Sequence, residues 1–150
     1  MLLINPFTKE QIQIAAGMPL SYTQSDITLR GHAIEFRINA EDHTQQFLPC
    51  PGTVNLFLPP GGKGVRIDSF IYPGFTISQY YDSMIAKIVV YGDTRLEAIS
   101  RMSGALDECV IEGIETTIPL HKFILRDKDF IDGNFDTNYL EKLIKEKYDV

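Results

Sequence analysis

The hydrophobic pattern of residues 30–42 is the strongest structural signal in this chain. Apolar and polar side chains alternate there, which is typical of a strand with one buried face. The apolar face carries Ile34, Phe36 and Ile38, and the polar face carries Glu35, Arg37 and Asn39. Same-face neighbours lie roughly 7 Å apart along a strand, so Glu35 can orient the Arg37 guanidinium while Asn39 shares its acceptor. The pattern leaves open an ordinary amphipathic strand whose polar face is simply solvated.

Two further alternating segments predict strands at residues 53–58 and 65–69, and a third strand is predicted at residues 83–91. In the first, Val54, Leu56 and Leu58 are expected to point inward. In the second, Arg66 and Asp68 share one face. The third is apolar along most of its length, which indicates a strand buried on most sides.

The longest predicted helix begins at Asp93 or Thr94, where Thr94-x-x-Glu97 forms a capping box, and is expected to end at Gly113. Apolar residues at spacings of three and four predict its core-facing stripe. They are Leu96, Ile99, Met102, Leu106, Cys109 and Val110.

Shorter helices are predicted at residues 119–125 and 138–147. A Thr8-x-x-Gln11 capping box followed by Gly17 predicts another short helix near the start, with a narrow apolar stripe. The stripe consists of Ile12, Ala15 and Ala16. Because strands come first and helices afterwards, the chain is predicted to be an α+β domain of antiparallel strands followed by packed helices.

Composition and charge narrow the functional classes. The 150 residues suit one domain, and the net charge of −6 without a basic cluster argues against a nucleic-acid partner. The longest apolar run, residues 84–91, contains Lys87 and is too short to span a membrane. Cys50 and Cys109 make neither a disulfide framework nor a metal site, which favours a reducing cytoplasm. His32, His43 and His121 lack ligand spacing, so no metal is predicted.

Several short motifs occur in the order and spacing of a known family. They include Gly31-His32-Ala33-Ile34-Glu35, Arg37-Ile38-Asn39-Ala40-Glu41-Asp42, Gly64-Val65-Arg66, Tyr80-Tyr81-Asp82-Ser83-Met84-Ile85-Ala86-Lys87 and Tyr91-Gly92. Together they resemble the C-terminal domain of biotin carboxylase, from about Lys9 to the end of the chain. Within that family, the likeness is greatest to the acetyl-CoA carboxylase type.

The resemblance implies a division of the chain and a set of missing parts. Residues 1–25 would be a helix and linker from a preceding ATP-binding domain, and residues 26–150 the C-terminal domain. The family's nucleotide loop, metal-binding glutamates and bicarbonate-binding residues all precede the matched segment. The chain alone is therefore expected to be inactive and to bind none of the family's cofactors, which are biotin on a carrier protein, ATP and Mg²⁺. The implied partners are that ATP-binding part, the biotin carboxyl carrier protein and a second copy of the enzyme.

Roles for individual residues follow from the resemblance as expectations. Arg37 matches the arginine that stabilises the biotin enolate during carboxylation. The other matched positions are Glu35 and Asp82 beside biotin and bicarbonate, Thr137 and Asn138 at the adenine edge of the ATP site, and Lys63 and Arg66 at the dimer interface.

Two alternatives remain open. The domain can belong to a carboxylase of pyruvate, propionyl-CoA or urea, or it can be a non-catalytic interaction module. Residues 47–52 and the end of the chain soon after Leu143 favour the acetyl-CoA type, and hence a role in fatty acid synthesis.

Overall fold

The structure, a computed structural model, describes residues 7–148. The strands are β1 (His32–Asn39), β2 (Glu41–Asp42), β3 (Leu48–Pro49), β4 (Gly52–Thr53), β5 (Leu56–Leu58), β6 (Val65–Ser69), β7 (Thr76–Ile77), β8 (Met84–Gly92) and β9 (Val110–Glu112). The helices are α1 (Phe7–Ala15), α2 (Arg95–Glu108), α3 (Ile118–Ile124), α4 (Lys128–Asp132) and α5 (Tyr139–Tyr148), with a 3₁₀ turn at Gln24–Asp26. The two ends of the predicted division, residues 1–6 and 149–150, lie outside the described part of the chain.

A three-stranded antiparallel sheet in the order β1-β8-β6 forms the centre of the fold. The predicted alternation of β1 is confirmed, since Ile34, Phe36 and Ile38 are buried while Glu35 and Arg37 are exposed. The apolar face packs with α2, whose buried residues are Ala98, Met102, Ala105 and Leu106. Because Ala98 and Ala105 are small, the helix can lie close to the sheet. Burying each large apolar side chain of this layer contributes roughly 1.5–3 kcal/mol.

Helix α2 starts as predicted but ends earlier. Thr94 is the N-cap and accepts from the Glu97 amide at 3.2 Å, while the Glu97 carboxylate accepts from the Asp93 amide at 2.8 Å. The helix ends at Glu108, and the residues that follow Cys109 form β9, which pairs with β5. The predicted helix as far as Gly113 is therefore wrong. The strand pairing satisfies backbone groups along β5, and the local apolar spacing does not reveal that partner.

Two members of the predicted α2 stripe differ in their surroundings. Leu96 is 66% exposed, so its assignment to the core is wrong. Cys109 is buried as predicted, and burial raises the pKa of its thiol to about 11. A thiol with so high a pKa is protonated at neutral pH, which fits packing rather than reactivity.

The single strand predicted at residues 53–58 is divided into β4 and β5. Val54 is fully buried, but Leu56 is half-buried and Leu58 is 49% exposed, so the predicted inward row is wrong at its far end. The division arises because the chain changes partners at this point. The Val54 amide donates to the carbonyl of Phe75 at 2.9 Å, whereas the Asn55 amide donates to that of Glu112 at 2.7 Å.

Helix α1 ends as predicted but is packed differently. Gly17 has a φ of 83°, and the amides of Gly17 and Met18 close the helix on the carbonyls of Ile14 and Gln13. The helix begins at Phe7, so Thr8 lies within its first turn rather than at the predicted N-cap.

The apolar stripe predicted for α1 is exposed, including Ile12 at 65%. The buried residue of this helix is Glu10, whose carboxylate accepts from the amide and hydroxyl of Ser21. Within the described chain, α1 therefore shows an apolar surface that the rest of the domain leaves exposed.

The C-terminal helices follow the sequence pattern, with one addition. Helices α3 and α5 match the predicted segments, and Leu143 of α5 is buried. The additional helix α4 is capped by Asp127, whose carboxylate accepts from the amides of Asp129 and Phe130. The same carboxylate accepts from the Tyr139 hydroxyl at 2.8 Å and so joins α5 to the start of α4.

Gly113 allows a test of the β5–β9 junction. It has a φ of 101°, and a Cβ atom there would collide with the carbonyl oxygen of Thr53. Gly74 has a φ of 92° but no heavy atom within 4 Å of a Cβ, so Gly74→Ala is the matched control. Both substitutions strain the backbone by about 1–3 kcal/mol. Because Gly113→Ala also has to displace a strand, we expect it to lower the free energy of unfolding by about 1 kcal/mol more. Equal losses for the two variants in chemical denaturation would contradict this packing.

Candidate functional site

The polar face of the central sheet gathers residues from all three of its strands. The register places Arg37 opposite Lys87 and Lys87 opposite Asp68. In the neighbouring row, Glu35 is opposite Val89 and Val89 opposite Arg66. Directly opposed residues point to the same side of a sheet. Arg37, expected at the biotin site, and Arg66, expected at a dimer interface, therefore share one exposed sheet face.

The guanidinium of Arg37 is well exposed to solvent. Its Nε atom lies 3.7 Å from Oε1 of Glu35, as the strand pattern predicted, and the two side chains are 67% and 46% exposed. An exposed ion pair of this kind contributes only about 0–1 kcal/mol. Glu35 therefore biases the direction of the guanidinium without locking it in place.

Asn39 has a different partner from the one expected. Its side-chain Nδ2 atom donates to Oε1 of Glu41 at 3.1 Å, and the Ser83 hydroxyl donates to that same oxygen. The prediction that Asn39 shares an acceptor with Arg37 is therefore wrong. The Glu41 carboxylate bonds the Asn39 side chain because it lies two residues further along the same side of the chain. The Oδ1 atom of Asn39 is buried and has no hydrogen-bond partner in the described part of the chain.

The backbone around Arg37 is bonded by two residues that the sequence pattern did not single out for this site. The His121 Nε2 atom lies 2.8 Å from the carbonyl oxygen of Arg37. Thr117 makes three further contacts with the same stretch. Its hydroxyl accepts from the Asn39 amide at 3.1 Å and lies 3.4 Å from the Arg37 carbonyl, and its amide donates to the Asn39 carbonyl at 3.1 Å.

No local pattern could have revealed these contacts, because they join residues 78 to 84 positions apart. His121 is half-buried, and its ring stacks on Phe36 with centroids 4.4 Å apart and an interplanar angle of 12°. Burial lowers the pKa of His121, and the nearby His43 lowers it further. The imidazole is therefore neutral at neutral pH.

Asp82 lies at the start of β8 beside an open groove of about 460 Å³. Its carboxylate accepts from the Met84 amide at 2.7 Å and so orders the entry into the strand. Three aromatic side chains, those of Phe70, Phe75 and Tyr81, contribute to the groove wall. An acidic group at the rim of an apolar groove is suited to a ligand with both a polar and an apolar part.

Arg66 and Lys63 are both exposed, on β6 and in the loop before it. The Arg66 guanidinium pairs with Asp68 at 2.9 Å, confirming the shared face predicted for these residues. Hydrogen bonding to Asp68 is the main cause that raises the pKa of Arg66, and the charge of Glu35 adds to it.

Thr137 and Asn138 lie elsewhere, in the exposed connection between α4 and α5. The Asn138 amide donates to Asp136 at 2.9 Å, which orders the first turn of α5. These residues line a different part of the surface from the β1-β8-β6 face.

Two other kinds of site are absent from residues 7–148. No group of three or more His, Cys, Asp or Glu side chains in this range is arranged to hold a metal ion. No helix in the same range is long and apolar enough to cross a membrane.

This fold and sheet face correspond to a known domain. A family profile described as the biotin carboxylase C-terminal domain matches residues 35–142. The chain therefore belongs to the biotin carboxylase C-terminal domain family. It is 57% identical over 133 residues to biotin carboxylase 1 of Bacillus subtilis, covering 89% of this chain and 30% of that protein. It is also 57% identical over 134 residues to the biotin carboxylase of Haemophilus influenzae, covering 89% and 30%.

Solved structures confirm the α+β architecture. The biotin carboxylase domain of 2-oxoglutarate carboxylase from Hydrogenobacter thermophilus superposes with a TM-score of 0.87 at 45% identity, covering 94% of this chain and 31% of that one. That structure is a dimer in complex with MgADP, ADP and bicarbonate. A pyruvate carboxylase of Rhizobium etli also gives a TM-score of 0.87, at 31% identity, covering 95% and 15%. The chain spans about 30% of the length of the curated relatives it matches.

Burial of the His121 ring makes the free energy of unfolding depend on pH. The ordinary pKa of 6.5 is lowered in the folded chain, so the unfolded chain takes up this proton first as the pH falls. Stability should therefore decline below about pH 6.5 and level off once the folded form is also protonated. His121→Gln removes this titration while keeping a donor for the Arg37 carbonyl. We expect the variant to lose less free energy of unfolding than the wild type between about pH 7.5 and pH 5.5.

The control for this experiment is Lys122→Gln, which alters the next residue of α3 and its 2.8 Å pair with Asp107. The hydrogen bond from Lys122 lowers the pKa of Asp107, so this carboxylate stays ionised between about pH 5.5 and pH 7.5. Parallel pH profiles for wild type and His121→Gln would contradict the burial of the imidazole.

Proposed function

We propose that this chain is the C-terminal part of a biotin carboxylase, the enzyme that uses ATP and bicarbonate to carboxylate biotin on a carrier protein. The observation that carries the proposal is Arg37. It lies within the matched family segment, on the exposed face of a strand whose backbone is bonded on both sides. A fixed backbone with an accessible cationic tip suits a group that has to meet a mobile substrate.

The chemistry of the reaction explains why a guanidinium is needed. The ureido nitrogen of biotin is a poor nucleophile until it loses a proton. The negative charge then develops on the ureido oxygen, and a positioned cation stabilises it in the transition state. Arginine suits this role because it stays charged and presents a rigid fork of donors. We assign this role to Arg37.

Glu35 and Asp82 are the proposed companions of Arg37. Glu35 lies beside the guanidinium and biases its direction. Asp82 stands at the rim of the aromatic groove, where it would contact biotin or bicarbonate. Biotin combines a polar ureido group with an apolar part, which is compatible with an acidic group beside aromatic side chains.

The remainder of the enzyme would bind the nucleotide and the metal. The described residues hold no acidic cluster for Mg²⁺, and the chain covers about 30% of its relatives. Thr137 and Asn138 would contribute only the adenine edge of the ATP site. We therefore propose that the isolated chain neither hydrolyses ATP nor carboxylates biotin, and that it works with an ATP-binding part and a carrier protein in the cytoplasm.

The final acceptor of the carboxyl group is proposed to be acetyl-CoA, which would place the enzyme in fatty acid synthesis. A second candidate is a 2-oxo acid, because relatives at 45% and 31% identity are a 2-oxoglutarate carboxylase and a pyruvate carboxylase. Transfer of labelled bicarbonate to each acceptor, in extracts of cells with and without the gene, distinguishes the two.

The proposed role of Arg37 is tested with Arg37→Gln in the full-length enzyme. Its effect should fall on the transition state, so kcat for biotin carboxylation should decrease about 100- to 1,000-fold while KM for biotin changes much less. Arg37→Lys should not restore the rate, because an ammonium cannot reproduce the guanidinium fork. Bicarbonate-dependent ATP cleavage without biotin should be affected less than carboxylation.

Thermal melting of the same variants controls for folding, and Lys145→Gln on the exposed side of α5 serves as the matched loss of a cation. Carboxylation by Arg37→Gln within about twofold of wild type would contradict the assignment and return Arg37 to a solvated strand face.

We also propose that the edge formed by Lys63 and Arg66 joins two copies of the enzyme. Arg66→Glu in the full-length protein should raise the dimer dissociation constant, because a like charge next to Asp68 opposes the pairing of the two surfaces. Arg66→Gln should have a smaller effect in the same direction. Sedimentation velocity across a dilution series measures this, with Lys145→Glu as the charge-reversal control. Identical profiles for wild type and Arg66→Glu would remove Arg66 from the interface.

A further inference from the structure

We propose that Thr117 and His121 are positioning residues for Arg37, holding the backbone of β1 so that the guanidinium meets biotin at a fixed place and angle. This inference rests on the proposed role of Arg37. It adds a second element, α3, to the machinery of the reaction.

The two edges of β1 have different partners. One edge of this strand bonds to β8, and the described sheet has no strand on the other edge. The Arg37 carbonyl and both backbone groups of Asn39 face that outer edge. Unpaired backbone groups are costly when they are not solvated. Thr117 and His121 supply partners for these three groups, so the first turn of α3 acts in place of a neighbouring strand.

The pairing of β1 with β8 is not regular along its whole length. The regular pairing of β1 with β8 breaks between Ile38 and Asn39, one residue beyond Arg37. At such an irregularity the pairing fixes the direction of the strand less firmly than in a continuous ladder. The contacts from α3 fall on Arg37 and Asn39, which flank the break. They therefore fix the backbone where the sheet alone constrains it least.

The His121 ring is fixed by its hydrogen bond and its packing. A carbonyl oxygen can only accept, so the ring donates through Nε2–H, and Nδ1 is the unprotonated nitrogen of the neutral ring. Nδ1 is buried without a hydrogen-bond partner in the described chain, and the ring is stacked flat on Phe36. Burial also lowers the pKa of this imidazole. The side chain is thus held in one tautomer and one orientation, and Phe36 precedes Arg37 on the strand.

The clamp formed by Thr117 and His121 is not needed to hold α3 on the domain. Leu120 and Ile124 of the same helix are buried, with 2% and 6% of their surfaces exposed. These side chains anchor α3 in the core without using either polar residue. Removing the polar contacts should therefore loosen the backbone at Arg37 while α3 stays in place.

The experiment compares two kinds of variant in the full-length enzyme. His121→Phe keeps a flat ring on Phe36 but removes the donor, and Thr117→Val keeps the shape but removes the hydroxyl. His121→Gln and Thr117→Ser retain a hydrogen-bonding group in each place. We expect the double variant Thr117→Val/His121→Phe to lower kcat for biotin carboxylation about tenfold, less than the roughly hundredfold that a misplacement of about 1 Å can cost. The conservative double variant should remain within about twofold of wild type.

The decisive readout is the ratio of biotin carboxylation to biotin-independent ATP cleavage. A loss of stability lowers both rates together, whereas a displaced Arg37 lowers carboxylation alone. Lys122→Met is the matched control, because it removes the α3 pair with Asp107 without touching β1. The proposal is overturned if the ratio is unchanged in Thr117→Val/His121→Phe, or if Lys122→Met changes it equally.

Arg37→Gln measured alongside separates the positioning inference from the proposed function. If Arg37→Gln abolishes carboxylation while the clamp variants retain the wild-type ratio, the positioning inference fails and the proposed function stands. If Arg37→Gln itself leaves carboxylation intact, the proposed role of Arg37 fails first.

Discussion

Strand β1 has to meet three physical demands at once, and the rest of the fold is arranged around them. Its apolar side chains need a dry face, its charged side chains need water, and the backbone groups on its outer edge need partners. Helix α2 covers the apolar face with small and medium residues, including Ala98 and Ala105. Strand β8 bonds one edge and the start of α3 bonds the other. The charged face stays open because no described element covers it.

This arrangement explains how one arginine can be both accessible and well placed. The Arg37 guanidinium is solvent-exposed and weakly paired with Glu35, but the strand that carries it is bonded to β8 along one edge and to α3 along the other. The position of the guanidinium is therefore set by the strand backbone and its buried neighbours rather than by contacts of the Arg37 side chain. The same face carries Arg66, whose raised pKa includes a contribution from Glu35. A proposed substrate site and a proposed dimer contact are thus electrostatic neighbours on one sheet.

The incorrect predictions share a physical cause. The end of α2 and the division of residues 53–58 both depend on the distant segments with which those residues pair. Residues 110–112 form strand β9 by pairing with β5, although they continue the apolar spacing of helix α2. The predicted apolar stripe of α1 also has helical spacing, but it is exposed, and the buried residue of that helix is Glu10. Local hydrophobic periodicity predicts which side chains share a face of an element, but not which segment packs against that face.

The sequence by itself determined the alternation of β1, the cap of α2, the αL end of α1 and the α+β class, because each follows from residues close together in the chain. Its motifs also indicated the family that the comparisons confirmed, and with it Arg37 as the residue to examine. Only the tertiary structure decided that Asn39 turns to Glu41, that Arg66 shares a face with Arg37, and that Thr117 and His121 hold the strand. The Thr117 and His121 contacts join positions up to 84 residues apart, and the face shared by Arg37 and Arg66 depends on the register of β1 and β6 with β8. The Glu41 carboxylate that Asn39 meets also accepts from Ser83, 42 positions away. No local pattern encodes these long-range pairings.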